Sequence, residues 1–151
     1  MESRGEVLNQ FLVEVFGQIL KAEAACLAGK DLSLRELPLI DAVCRAVDQG
    51  GDNRSTAIAA ALGITAGTLT SAVNLLEKKG YLLRRRDERD KRVVHLLPTE
   101  RGRAADARHR DFHRQMVAHV LDGLTDEEAE CTLRALGRVA EFFRRGAPER
   151  G

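Results

Sequence analysis

Within one stretch, Ile64 to Leu97, the sequence changes from a helical pattern to a strand-like one, and that change limits what the chain can build. Thr65 is a good helix N-cap, Leu69, Val73 and Leu76 recur at helical spacing, and Gly80 supplies a C-terminal stop. One face of this helix is therefore expected to be buried. At about 100° per residue the opposite face collects Gly67, Thr70, Ser71, Asn74 and Lys78, with Thr68 on the flank. Small residues allow close approach to a duplex, while hydroxyl, amide and ammonium groups reach base edges and phosphates. An ordinary solvated helix has a similar face, so the helix alone leaves both readings open.

The next residues favour the first reading. Tyr81 to Arg86 and Arg92 to Leu97 read as two short strands, the second with β-branched Val93 and Val94, joined by the polar turn DERDK. This predicts a β-hairpin. Arg84, Arg85, Arg86, Arg89, Lys91 and Arg92 outnumber Asp87, Glu88 and Asp90, so its tip is net positive. Such a tip suits a phosphate backbone or a narrow minor groove. Asp87 and Asp90 are expected to brace the turn by ion pairs with Arg89 and Arg92, holding some arginines while others point outward.

The overall charge of +1 conceals an asymmetry: residues 77–114 hold thirteen Lys or Arg against seven Asp or Glu, leaving eleven against sixteen elsewhere. A basic face of limited extent fits a nucleic-acid site without indiscriminate adhesion. The 151 residues suffice for one compact domain or one intertwined subunit of a dimer. No apolar run approaches the roughly 20 residues that span a bilayer, and MESRGEVLNQ lacks the apolar core of a secretory signal, so no membrane association and a cytoplasmic location are expected. Cys26, Cys44 and Cys131 are odd in number, far apart and without a Cys-x-x-Cys pair, which points to free thiols. No glycine-rich phosphate loop, nucleophile elbow or HExxH motif supports an enzyme.

Elsewhere the pattern is helical. Val7, Leu8, Phe11, Leu12, Val15, Phe16, Ile19 and Leu20 form an apolar stripe on a helix running to about Leu27, after which GKD breaks the chain. Ser33 with Glu36 forms a capping-box pattern ahead of a second helix, although Pro38 requires that helix to bend or begin later. RSTAIAAALG predicts a short helix ended by Gly63, with Ser55 and Thr56 serving either as phosphate contacts or as caps. Thr99 caps a long helix to about Leu121, and Thr125 with Glu128 opens a final one carrying Leu133, Leu136, Val139, Ala140 and Phe143. The closing GAPERG reads as a frayed tail.

The motifs LGIT, VNLLEKKGYL, DERDKR and TERGR, in this order, resemble the MarR family of winged helix-turn-helix regulators. GTLTSAVN, KKGYL, RVVHL and HRDFHRQM are most similar to its FabT-type branch, repressors of fatty-acid synthesis genes. The resemblance implies a mainly α subunit: a winged helix-turn-helix lobe over 33–98, with a small hairpin wing, and dimerisation helices over 1–30 and 100–146. It implies a homodimer on a pseudo-palindromic double-stranded operator, with reading helices about 34–36 Å apart and the Arg89 wing tips in flanking minor grooves. The expected DNA-contact set is Ser55, Thr56, Thr65, Gly67, Thr68, Thr70, Ser71, Asn74, Lys78, Arg84, Arg86, Arg89, Lys91 and Arg92.

By the same resemblance the effector is a long acyl chain on acyl carrier protein, acting as a corepressor. Phe11, Val15, Leu37, Phe112 and Met116 would line its crevice, or would simply be core. Response to zinc, an oxidant or a small aromatic ligand, and a helical interaction module that does not bind DNA, are the alternatives. His109 and His113 stand four apart, a spacing that can serve one metal. The zinc-sensing branch also needs ligands near the start of the second helix, where this chain has Leu37 and Pro38, so neither a resident metal nor a cofactor is expected. Cys26 lies near the end of the first helix, unlike the peroxide-sensing thiols of relatives, which lie near its start.

Overall fold

The computed structural model describes residues 3–27 and 31–145; Gly29 and Lys30 of the GKD break and the GAPERG segment lie outside them. Among the described residues the elements are α1 (Arg4–Cys26), α2 (Leu37–Asp48), α3 (Ser55–Leu62), α4 (Ala66–Lys78), β1 (Leu82–Arg86), β2 (Val94–Pro98), α5 (Glu100–Asp122) and α6 (Asp126–Arg144). The chain is mainly helical, with a winged helix-turn-helix formed by α2 to β2. It divides into two compact units, Met1–Phe112 and His113–Gly151.

In the first unit, Ile40, Val43, Leu76, Leu82 and Leu96 are fully buried and Tyr81 is 1% exposed. Burial of each large apolar side chain contributes about 1.5–3 kcal/mol, so these residues fix α2, α4 and the hairpin as one body. The expected capping box at Ser33 and Glu36 is a turn instead of a helix start. The Ser33 N–H donates to Glu36 Oε2 at 2.7 Å, and the Glu36 N–H donates to Ser33 O at 3.1 Å. α2 begins at Leu37, which puts Pro38 in its first turn, where a missing N–H costs little.

α3 ends at Gly63, whose φ of 65° lies in the left-handed region, and the chain then bends by 108° into α4. Arg54, not a hydroxyl, occupies the N-cap of α3, with no side-chain cap bond. Ser55 and Thr56 fall inside its first turn, so the expectation that either caps this helix is corrected. α4 begins as its sequence predicts: Thr65 Oγ1 accepts the Thr68 N–H at 3.2 Å. Leu69, Val73 and Leu76 are its buried face.

The hairpin is antiparallel, with register from Leu82 opposite Pro98 to Arg86 opposite Val94. Its strands are shorter than expected at their starts. The Tyr81 N–H is committed to Leu76 O at the end of α4, at 2.8 Å, and the Val93 N–H to Asp90 O within the turn, at 2.9 Å. Pro98 terminates β2, where its absent N–H is tolerated.

The exit from the hairpin is fastened to its entry. The Thr99 N–H donates to Tyr81 O at 3.1 Å, and Thr99 Oγ1 donates to Gly80 O at 2.6 Å while accepting the Gly102 N–H at 3.0 Å. A Cβ at Gly102 would stand 2.2 Å from Tyr81 O, so this approach needs glycine. The Tyr81 hydroxyl donates to Asp31 Oδ1 at 2.8 Å, and the Arg101 guanidinium lies 4.5 Å from the Tyr81 ring centroid.

In the second unit, the end of α5 connects through Gly123 and Leu124 to α6, which opens with the predicted Thr125–Glu128 capping box. Leu133, Leu136, Phe142 and Phe143 are exposed on α6, as are Val117, Val120 and Leu121 on α5.

Candidate nucleic-acid interface

The face of α4 opposite its buried stripe is open: Gly67, Thr68, Thr70, Ser71, Asn74 and Lys78 are all exposed, and Thr65 is exposed at its N-cap. Two hydroxyls are partly committed. Thr70 Oγ1 donates to Ala66 O at 2.9 Å, and Thr65 Oγ1 donates to Thr68 Oγ1 at 2.9 Å. Thr70 Oγ1 keeps its lone pairs as acceptors, and Thr65 Oγ1 keeps one beyond that taken by the Thr68 N–H. At the start of α3, Thr56 is exposed and Ser55 half-buried.

The hairpin carries the cations. Arg85, Arg86, Arg89, Lys91 and Arg92 are exposed, as is Lys78 on α4, and among the described residues none of these side chains forms an ion pair. Arg84 differs. Its guanidinium turns back onto α4, donating to Glu77 Oε2 at 2.6 Å, Asn74 Oδ1 at 2.7 Å and Thr70 O at 3.2 Å. One residue expected on phosphate thus couples the hairpin to α4.

Asp87 and Asp90 brace the turn, but through backbone amides in place of the expected ion pairs. Asp87 Oδ1 accepts the N–H groups of Arg89 at 2.8 Å and Asp90 at 3.0 Å, while Asp90 Oδ1 accepts that of Arg92 at 3.0 Å. The amide bonds form because a short polar turn presents its own N–H groups to an Asx side chain, and they leave the guanidinium groups of Arg89 and Arg92 outward. The Asp90 amide, then His95 and the Arg89 amide, hold the Asp87 carboxyl down at about 2.

His95 ties the wing to the entry of α3. Its Nε2 lies 3.0 Å from Asp87 Oδ2 and its Nδ1 2.9 Å from Asn53 Oδ1. The Asn53 amide is oriented by its own Nδ2, which donates to Leu96 O at 2.9 Å, and the Leu96 N–H returns to Asn53 O at 2.9 Å. Neither His95 nor Asn53 was singled out by the sequence. A polar residue preceding α3 and a histidine in a strand give no periodic signal, and their partnership spans 42 positions.

The remaining candidates are placed individually. Leu37 is core at 3% exposure, Phe11 is 58% exposed, and Val15 and Phe112 are half-buried; Met116, half-buried, belongs to the second unit. His109 Nε2 lies 3.1 Å from Glu23 Oε1 of α1. His113 follows one turn later on α5. All three cysteines are free; Cys26 and Cys131 are exposed, whereas Cys44 is buried and its thiol is pushed up to about 12, by burial first and by nearby Asp106 next.

These elements match known proteins. Residues 45–94, from within α2 to the start of β2, match the model of the MarR family. Streptococcus pneumoniae FabT, solved in complex with DNA, superposes with a TM-score of 0.78 at 34% identity, over 91% of this chain and 96% of that one. The chain belongs to the MarR family. Staphylococcus aureus MepR, also solved with DNA, shares the fold at a TM-score of 0.65 and 22% identity, over 87% of this chain and 96% of that one. The Bacillus subtilis HTH-type transcriptional regulator YwhA is 31% identical over 72 residues, 48% of this chain and 52% of YwhA. The B. subtilis regulator YcgE matches similarly, at 31% identity over 53% of its length, so the chain spans about half the length of the curated relatives it matches. In the MarR-type fold α4 is the second helix of the helix-turn-helix and β1–β2 its wing. No single helix among the described residues is long and apolar enough to cross a membrane.

Proposed function

We propose that this MarR-family member is a sequence-specific DNA-binding transcriptional regulator, not an enzyme. The observation that carries the reading is the adjacency of the open face of α4 to a hairpin with five exposed cations, Arg85, Arg86, Arg89, Lys91 and Arg92. Hydroxyls of α4 and Asn74 discriminate among base edges; the wing cations and Lys78 supply sequence-independent attraction to phosphate. The 34% identity to FabT in a DNA complex supports the same assignment. Titration of the protein with DNA from upstream of its own gene, against scrambled DNA of equal length and at several salt concentrations, tests it. Preferential binding with a steep negative salt slope is expected; equal affinity for both duplexes over the whole range would overturn the reading.

The regulator acts as a homodimer and a repressor in this proposal. Exposed Phe11 and Phe16 on α1, and Leu133, Leu136 and Phe143 on α6, are apolar surfaces that a second copy would cover. The FabT likeness extends the proposal to fatty-acid synthesis genes, with an acyl chain on acyl carrier protein as corepressor. A saturating titration of acylated carrier protein should raise operator affinity, and an unchanged affinity would remove this effector while leaving the DNA-binding assignment standing.

A further inference from the structure

Arg84 is set apart from the other hairpin cations. Its side chain is 27% exposed, and its bonds run along one stripe of α4 formed by Thr70, Asn74 and Glu77. The Arg84 backbone N–H adds a bond to Glu77 Oε1 at 3.3 Å, so both carboxylate oxygens are engaged by the same residue. The Glu77 carboxylate offsets the charge that a phosphate contact would require.

The consequence falls on Asn74. A guanidinium only donates hydrogen bonds, so the Asn74 atom 2.7 Å from it is the amide oxygen. The exposed Asn74 then has its NH₂ group for other partners, and that group donates to nothing else among the described residues. In a major groove an outward NH₂ meets two adjacent acceptors only at guanine, N7 and O6; thymine offers O4 alone, adenine N7 beside its own amino group, and cytosine an amino group. The paired contact of asparagine with adenine also uses the amide oxygen, which Arg84 already draws towards itself.

We infer that Arg84 is a positioning residue that fixes Asn74 as a hydrogen-bond donor, making this point of the reading helix favour a G·C pair, read at guanine, over the A·T pair that an unrestrained asparagine reads at adenine. The inference rests on the reading of the chain as a DNA-binding regulator. Arg84 acts through Asn74, whereas its neighbours on the wing act on phosphate.

Selection of preferred sequences from a random duplex pool with the full chain, followed by affinity measurements on single-position variants, tests it. Asn74→Ala should identify the base pair concerned by lowering discrimination there by about tenfold, the scale of one base contact, and the preferred pair there should be G·C; a preferred A·T pair overturns the inference. Arg84→Lys keeps the charge but not the fork, and should lower discrimination at the same base pair by a similar factor, with the salt slope unchanged. The double variant should be no less selective there than either single one. A phosphate anchor would behave differently: Arg84→Lys would keep the base preference, and Arg84→Met would weaken all sequences equally and reduce the salt slope by about one, an outcome that overturns the inference. Should Arg84→Lys melt early, Asn74→Asp at its exposed position carries the test. It exchanges donors for acceptors and should invert the pair, placing cytosine on the strand where guanine stood; retention of guanine on that strand overturns the inference. Specific binding indifferent to both residues refutes this inference alone, whereas absence of any sequence preference in the wild-type chain refutes the DNA-binding proposal with it.

Discussion

His95 and Asp87 meet across the hairpin, Nε2 to Oδ2 at 3.0 Å, while the other ring nitrogen of His95 faces Asn53. The Asn53 oxygen is held towards the ring because its amide nitrogen bonds Leu96 O, and an ionised carboxylate has no proton to give. The ring therefore faces acceptors on both sides, and its bonds set the attitude of the wing against the start of α3.

Replacing His95 by Phe leaves Asn53 Oδ1 and Asp87 Oδ2 without the ring. Loss of the half-buried Asn53 bond should destabilise the first unit by about 1 kcal/mol, read from urea denaturation, and operator affinity should fall with it. Unchanged affinity would mean that the wing holds its attitude without His95.

The Asp87 carboxyl, held at about 2 against an ordinary value of 3.8, favours the folded turn at pH values above the ordinary one. Its contribution declines as pH falls from about 4 towards about 2, because the folded form resists protonation. The amide resonances of Arg89 and Asp90 should move together across that window, and Asp87→Ala should abolish the transition; a midpoint near 4 would show that the amide contacts do not form in solution.

Gly102→Ala forces a methyl group to within 2.2 Å of Tyr81 O unless the backbone moves. A cost of about 1–3 kcal/mol is expected from such overpacking. Thermal denaturation would check it, and an unaltered midpoint would contradict the close approach of α5 to Tyr81.

Adjacent residues of α4 should respond very differently to truncation. Leu76 is 0% exposed and Leu75 46% exposed. Leu76→Ala should cost about 2–5 kcal/mol, and Leu75→Ala much less. Comparable losses would show that Leu75 is covered in solution.

Alkylation should separate the thiols. Cys44, buried and pushed up to about 12, should resist iodoacetamide in the native protein, while exposed Cys26 and Cys131 react. Mass spectrometry after native labelling would decide it, and rapid modification of Cys44 would indicate local opening of the core.

Much of the first unit was legible because its signals are local. Leu69, Val73 and Leu76 carry a helical period, Thr65 caps it, and Gly63 and Gly80 close successive helices. The DERDKR turn is likewise local, and its place after α4 was enough to identify a wing. Partnerships across the chain were not legible. Lys79 Nζ meets Glu36 Oε1 at 2.6 Å, and Arg101 reaches Asp31 at 2.7 Å, over separations that no periodicity encodes. Arg84 shows the same limit within the candidate site: six cations look alike in the sequence, and only the approach of the strand to Glu77 turns one of them inward. The Ser33–Glu36 pattern was real as chemistry but closes a turn, since Leu37 begins the helix only after it.

The isolated bridge between Arg54 and His95 adds a short third edge to the hairpin, reinforced by the two bonds between Asn53 and Leu96. The wing is consequently a discontinuous module. A chimera that exchanges only residues 82–98 with a relative would import a β2 strand without its matching border, so residues 52–54 must travel with it for the graft to keep its orientation.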